Sequence, residues 1–432
     1  MKVLAQRISN NPNYAKALEW GKLITITGGG QLLVQLTGFV SGIIIIRLLS
    51  IQEYALYTLA NTMLGAMVML SDSGVGSGVM AESGKVWQDK EKLGVVLATG
   101  LQLRKKFGII SLLVTLPVLV YLLISHGATL LTTFLIVVAI IPAGLAALSD
   151  SLLEIAPKLH QDIKTLQKNQ AEVSIARLVL SALFVFFSPF TFMALVANGL
   201  PRIYGNYRLR KATYHFANRT ENSDPAIEKA IIKGVKRTLP IVIYSCLSGQ
   251  LTIWLISFFG NTAGISQIGA LGKIGVLFNL VTTMLATLIV PRFSRMAATK
   301  NGLLKPFLLI QAGTFVITVF LVIGIWLFSN QILWVLGKNY YGLNYQLFLV
   351  AISSSVALMV GICSQLVLSR GWFLNPYFII GVNFTSTVVS LTVFKISSLI
   401  SILYFDIAVL IMAYLMVFIF GIISIRKVSI DV

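Results

Sequence analysis

The chain reads as a succession of long apolar runs separated by short polar punctuation. Uncharged stretches at 23–46 and 372–394 exceed the ~20 residues that cross a hydrocarbon core, and the stretch 107–149 is broken only by the turn Ser125-His126-Gly127. Reading each run against its flanking charges predicts twelve crossings, near 23–46, 54–72, 107–125, 128–149, 170–187, 190–207, 239–259, 265–290, 306–328, 344–368, 373–394 and 400–425. Several ends coincide with Gly, Pro or Asn, as at Gly260-Asn261 and Asn375-Pro376. The fifth and sixth crossings share one uncharged stretch between Arg177 and Arg202, with Ser188-Pro189 near its middle. Basic segments on both sides require an even number of crossings between them, so two short tilted helices are expected.

Within these runs, polar and small residues fall on single helix faces. The first helix repeats Gly28, Gln31, Gln35, Gly38 and Gly42; the second repeats Tyr54, Thr58, Asn61, Gly65 and Asp72. The seventh offers Tyr244, Ser248 and Thr252, and the eighth Gly269, Gly272, Gly275, Asn279 and Thr283, with Lys273 beside them. Lipid satisfies none of these groups, so the faces are expected to meet one another or to line a water-filled cavity. Small-residue packing between helices is the plainer alternative, and it is the expected role of Gly28-Gly29-Gly30, which lacks the Lys-Ser or Lys-Thr of a nucleotide-binding loop.

Charge sharpens the picture. Only 11% of the 432 residues are charged and 56% are hydrophobic, against roughly a quarter charged in soluble domains; mean hydropathy is +0.86. A soluble enzyme, a nucleic-acid module and a disulfide scaffold are excluded, and an all-α polytopic membrane protein is predicted. Of 34 Lys and Arg residues, 29 fall in segments that alternate consistently to one side, which predicts both termini in the cytoplasm. The expected organisation is a cytoplasmic segment 1–22 without a cleaved signal, a six-helix lobe 23–207, a basic linker 208–238, a second six-helix lobe 239–425 and a tail 426–432. Around the linker, 207–225 is rich in charge and contains Asn222-Ser223-Asp224-Pro225, which reads as a loop, and 227–237 reads as a short basic amphipathic helix on the cytoplasmic face. The outer loop 329–343 carries Trp334, Tyr340 and Tyr341, suited to an interface belt.

Five basic residues escape the sorting: Arg47, Arg177, Lys273, Lys338 and Lys395. Lys273 stands out, about nine residues or ~13 Å inside its helix, where a lysine is costly unless it meets water, a partner or an anionic ligand. Asp72 closes its stripe near the opposite face, a poor static partner. Arg47 reads as a partner of Glu53, an interface anchor or a ligand contact, Lys395 as a partner of Asp406, and Arg177 as a snorkelling residue near the inner boundary. Arg104-Lys105-Lys106 reads as a topology signal and an anionic-lipid contact. No metal-ligand spacing, Walker loop or paired carboxylate is present, so no metal, cofactor or enzymatic activity is expected. Cys246 and Cys363 lie in apolar runs and predict no disulfide.

The segment 32–70, with Arg47-Leu48-Leu49-Ser50-Ile51-Gln52-Glu53-Tyr54-Ala55-Leu56-Tyr57-Thr58-Leu59 and then Leu70-Ser71-Asp72-Ser73-Gly74, resembles the opening helices of Wzx-type polysaccharide (O-antigen) flippases of the multidrug/oligosaccharidyl-lipid/polysaccharide (MOP) superfamily. Pro291 closing the eighth helix and a basic linker between six-helix halves also fit. The resemblance implies a MATE-like, V-shaped pair of lobes around a cavity lined by helices 1, 2, 7 and 8, in a bacterial cytoplasmic (inner) membrane. It implies an undecaprenyl-diphosphate-linked repeat unit of O-antigen, capsule or exopolysaccharide, moved to the outer leaflet by alternating access. Partners would be that lipid-linked oligosaccharide, membrane lipids and the polysaccharide polymerase and chain-length components, without nucleic acid. Lys273, then Arg47, match the cations that face the diphosphate, with Gln31, Gln35, Asn61, Asp72, Asn279 and Thr283 completing the candidate site. A cation-coupled multidrug exporter and a polysaccharide polymerase or ligase are the competing readings; the first wants cavity carboxylates, the second large outer loops with basic catalytic residues.

Overall fold

Each predicted apolar run except the eighth coincides with a single helix, and many of these helices extend past it; the eighth, 265–290, is divided between two helices by a 3₁₀ turn. The structure, a computed structural model, describes residues 12–219, 222–259, 261–296, 299–394 and 398–427, with side chains of the first helix described from Gly28 onward. Expectations resting on Lys2, Arg7, Gly260 and Lys395 lie outside the described residues, as do the side chains of Lys16 and Lys22. The first lobe comprises α1 (Pro12–Leu48), α2 (Ile51–Asp72), the short α3 (Val75–Val86), α4 (Lys90–Ser125), α5 (Leu130–Leu153), α6 (Ile155–Leu159), α7 (Ile163–Phe187) and α8 (Thr191–Phe216). The second comprises α9 (Pro225–Phe259), α10 (Thr262–Leu271), a 3₁₀ turn Gly272–Ile274, α11 (Gly275–Ser294), α12 (Lys300–Leu327), α13 (Ser329–Leu336), α14 (Asn344–Ser369), α15 (Pro376–Val393) and α16 (Leu399–Lys427).

Eleven described spans are long and apolar enough to cross a membrane. The twelfth long helix, α8, carries Arg202 at its middle and Arg208, Arg210 and Lys211 in its second half, which lowers its hydropathy, yet it packs against α5 and α7 as the sixth helix of its lobe. Helix starts follow from polar caps: Ser50, Asp89, Thr129, Asp162, Asn261, Thr299 and Asn375 each accept a backbone N–H two or three residues on.

Three segments differ from expectation. The expected loop at Asn222-Ser223-Asp224 is present, but the charged stretch before it is mostly helix because α8 runs to Phe216; the basic helix at 227–237 is no separate element but the first part of α9, which begins at Pro225. Polar helix continues past the hydrocarbon because its backbone bonds are internal wherever water begins. The predicted loop 329–343 contains α13 and a 3₁₀ turn, and its Tyr340 is 1% exposed with its hydroxyl 2.9 Å from Ser266 Oγ rather than in an interface belt. Pro291 lies inside α11, three residues before its end.

The molecule has two distinct ends. At the end bearing Glu53 the lobes are latched together. Arg47 crosses to α13, donating to the backbone oxygens of Trp334 (2.6 Å) and Val335 (2.8 Å), with its guanidinium 5.2 Å from the Trp334 ring centre. His126, in the α4–α5 turn, bridges to Ser257 (2.6 Å) and Thr262 (3.3 Å) around the α9–α10 turn. Between these latches α10 lies on α2, where Gly269 is so close to Thr58 that a Cβ would collide with it. At the other, basic end, α9 stays against the first lobe through Thr238 to Ser73 O and Lys106 to Glu228. On the opposite side, α1 and α11 part, and Gly28, Gly38, Gly272 and Gly275 face open space.

Candidate functional site

The latched end roofs a cavity of about 500 Å³ between the lobes, lined by α1, α2, α5, α7, α8, α9, α10 and the 3₁₀ turn. Its cations are Arg177, Arg202 and Lys273, and no carboxylate lines it among the described residues. Arg177 precedes the end of α7 by ten residues, while Arg202 and Lys273 follow the starts of α8 and α10 by eleven. At 1.5 Å per residue all three lie about 15 Å from the Glu53 end, near the middle of a ~30 Å hydrocarbon core. Three helices thus bring their charges to one level.

Local structure positions each of them. Hydroxyl pairs zip α1 to α7 on either side of Arg177: Thr37 with Ser174 at 2.5 Å and Ser41 with Ser181 at 3.1 Å. Held there, Arg177 buries its Nε without a hydrogen-bond partner. Lys273 sits in the 3₁₀ turn that interrupts the eighth crossing, and its side chain lies across α1 at Gly42, where a Cβ would stand 3.2 Å from Lys273 Cε. Breaks of this kind are tolerated at membrane depth where they line a cavity. Arg202 is satisfied from behind, its Nε 2.9 Å from Asp150, which also accepts from Asn206 at 2.6 Å. Tyr57 accepts from Asn198 (3.0 Å) on the wall between Arg177 and Arg202. Arg177 and Lys273 therefore face the same space without a carboxylate partner and repel each other across it. An unpaired charge in a low-dielectric interior costs several kcal/mol, a cost that water or an anion in the cavity offsets.

The candidate residues divide. Lys273 and Asn61 line the cavity, Asn61 donating to Tyr57 O at 2.9 Å. Gln31 and Gln35 share the α1 face with the cavity-lining Gly38 and Gly42 but lie beyond the cavity, nearer the basic end. Asn279 and Thr283 are exposed on α11, about two and three turns past Lys273, and do not line the cavity. Arg47 does not line this cavity but a separate one of about 400 Å³ at the Glu53 end, and it does not pair with Glu53; it is a latch between lobes. Glu53 instead accepts from the Thr191 N–H and hydroxyl, both at 2.6 Å, docking its carboxylate on the N-terminus of α8. Asp72 is also not in the cavity: Arg104 donates to it at 2.5 Å, and it caps the Gly76 N–H at 3.1 Å. Arg104 is no lipid contact; it is 2% exposed and also donates to Ser151 and Leu148 O.

The seventh-helix stripe points elsewhere too. Thr252 donates to Asp406, as does Ser353, so this part of α9 faces α14 and α16 inside the second lobe. Of the Gly28-Gly29-Gly30 triplet, only Gly30 makes a close approach, against Gln167; its neighbours meet open space. Sequence reasoning missed Arg177 and Arg202 as cavity residues. The available signal was Arg177's failure to sort with the other basic residues.

No protein-family model matches the sequence, and no curated protein matches it. Solved structures do. An inward-facing multidrug resistance MATE family transporter of the MOP superfamily aligns with a TM-score of 0.68 at 15% identity, covering 92% of this chain and 95% of that one. An outward-facing MATE family transporter aligns with a TM-score of 0.60 at 15% identity over 94% and 95%. A MOP superfamily transporter from Pyrococcus furiosus, whose reversed binding-pocket polarity is described as suggesting a different function, aligns at 0.60 and 16% identity over 98% of each chain. The protein is thus a multi-pass, all-helical chain with the MATE-like fold of two six-helix lobes.

Proposed function

We propose that this protein is a membrane transporter that moves a lipid-linked, diphosphate-bearing oligosaccharide across a bacterial cytoplasmic membrane by alternating access, without covalent chemistry. The observation that carries the reading is the pair Arg177 and Lys273, with no carboxylate partner among the described residues and held at one depth in a cavity shut at one end and open beside α1 and α11. Two cations at that depth suit a diphosphate, and the neighbouring amides and hydroxyls of Asn61, Asn198 and Thr58 suit sugar hydroxyls. The polyprenyl tail stays in lipid beside the parted helices. The basic end is the cytoplasmic side, which makes the described state inward-facing, in keeping with the better overlay on the inward-facing relative. One charge crossing the membrane field is worth ~2.3 kcal/mol per 100 mV, so export of a dianion from a negative interior proceeds without a coupling ion. Polysaccharide polymerase and chain-length components are the partners that would consume the flipped repeat unit.

One observation favours a second reading, a cation-coupled exporter: Asp406 is an acid buried in the second lobe with two hydroxyl donors and no basic partner among the described residues. The deciding measurement is the leaflet position of lipid-linked saccharide in cells depleted of this protein. Intermediates trapped on the cytoplasmic leaflet are the expected result. Normal export together with new drug sensitivity would transfer the protein to the second reading.

A further inference from the structure

Two smaller cavities lead from the central one to the basic end between α7 and α8. The first, about 200 Å³, shares Arg177 and Arg202 with the central cavity. The second, about 340 Å³, is lined by Lys164, Lys168 and Arg208 and shares Asn169 and Leu209 with the first. On α7 the path follows one face, Thr165, Asn169, Val173 and Arg177 at four-residue intervals; on α8 it follows Arg202, Asn206 and Leu209. From Lys164 to Arg177 it runs ~20 Å along α7.

We propose that the basic mouth of this path, formed by Lys164, Lys168 and Arg208, is a loading site that takes the diphosphate head of the lipid substrate before Arg177 and Lys273 do. The proposal rests on the transport reading above and adds to it an entry position. Its carboxylates are already engaged. Asp150 holds Arg202 and Asn206, Glu154 holds Lys158 (2.7 Å) and Gln170 (3.2 Å), and Glu172 pairs with Arg208. Lys164 and Lys168 have no carboxylate within ion-pair reach among the described residues, so the mouth keeps a net positive charge. The Asn169 carboxamide stands where the two cavities join, its buried Oδ1 without a hydrogen-bond partner. Next to the mouth, α8 exposes Leu200, Ile203, Tyr204 and Tyr207, an apolar flank on which an isoprenoid tail can rest while its head is held. Two lysines without a carboxylate partner, beside an Arg208 whose fork is shared with Glu172, around a small volume suit the concentrated charge of a diphosphate better than a diffuse anionic surface.

The test uses full-length protein in phosphatidylcholine nanodiscs, with farnesyl diphosphate as the lipid-borne probe and inorganic pyrophosphate as the free one. Lys164→Gln/Lys168→Gln is expected to weaken farnesyl diphosphate binding about tenfold, and pyrophosphate less, since it lacks the tail. Lys164→Arg/Lys168→Arg is expected to restore binding, and Lys85→Gln/Lys90→Gln, which removes the same charge elsewhere at this end, to leave it unchanged. Wild-type affinity in the Lys164→Gln/Lys168→Gln protein, with loss in Arg177→Gln/Lys273→Gln, would overturn the loading site and keep the central one. Indifference of both double variants, or no binding by the wild type, would overturn both. If phosphatidylglycerol in the discs displaces the probe as well as unlabelled farnesyl diphosphate does, the mouth is a collector of anionic lipid and the proposal fails.

Discussion

The two lobes have the same number of long helices and spend their polar residues differently. The first lobe turns Arg177, Arg202, Tyr57, Asn61 and Asn198 toward the shared cavity. The second turns inward: Asp406 is enclosed by Thr252 and Ser353, Gln311 accepts from Tyr414 (3.1 Å), and Lys273 is its one charged contribution to the cavity. Equal helix counts therefore do not make equal halves of a site. The first lobe supplies most of the cavity's lining, and the second supplies one cation on an interrupted helix.

The strongest way to break this comparison is to remove the cavity charge. Arg177→Glu and Lys273→Glu are each expected to lower flipping about a hundredfold, ~2.7 kcal/mol, with folding retained; a transport assay in membrane vesicles reads it. Equal rates in either variant would leave the asymmetry without functional meaning. Next is the scaffold of the first lobe. Arg104→Leu breaks a pair whose arginine is buried but whose Asp72 side chain is 45% exposed. A fully buried pair would cost 3–5 kcal/mol; the half-solvated aspartate reduces the expected loss to about 2–3 kcal/mol, seen as a lowered Tm in detergent. In the second lobe, Asp406→Asn leaves one of the two hydroxyls donating to the remaining oxygen and turns the other into an acceptor of the amide N–H, and export of an anion is expected to change by less than about twofold. A tenfold loss would favour the cation-coupled reading instead. The smallest effect concerns the His126 latch. Burial pushes its imidazole below the ordinary histidine value of ~6.5. The latched state thus binds fewer protons than the open one, so closure of the Glu53 end is full above that range and weakens as pH falls through it. Spin-label distances across the latch between pH 8 and pH 5 would show it, and His126→Phe should abolish the dependence.

How much of this was legible beforehand follows from what hydropathy records. Apolar runs mark where a helix meets hydrocarbon, so the number of crossings and the Ser188-Pro189 turn could be read directly. They do not mark where a helix ends. Placing the fifth crossing at 170 put Arg177 near a boundary, whereas α7 begins at Ile163 and carries it to mid-depth. Placing the end of the sixth at 207 put Arg202 among loop charges, whereas α8 continues to Phe216. Stripe reasoning erred differently: a polar face has a direction but no named partner. Asp72 and Thr252 found theirs within a lobe, and Asn61 found the cavity. The stretch Arg47 to Glu53 reads as three contacts: a latch at Arg47, a helix cap at Ser50 and a dock for α8 at Glu53. None of the three touches the cavity contents.

The glycines on α1 and beside Lys273 have a consequence for selectivity. Gly38, Gly272 and Gly275 present bare backbone to open space, so this side of the passage offers no side chain to fit against. A corridor with smooth walls grips by charge and lets the uncharged remainder vary. On the proposed function, such a wall tolerates a change of sugar composition without a matching change in the transporter. A single bulky side chain, as in Gly38→Leu, would turn a permissive passage into a sieve that sorts its cargo by girth.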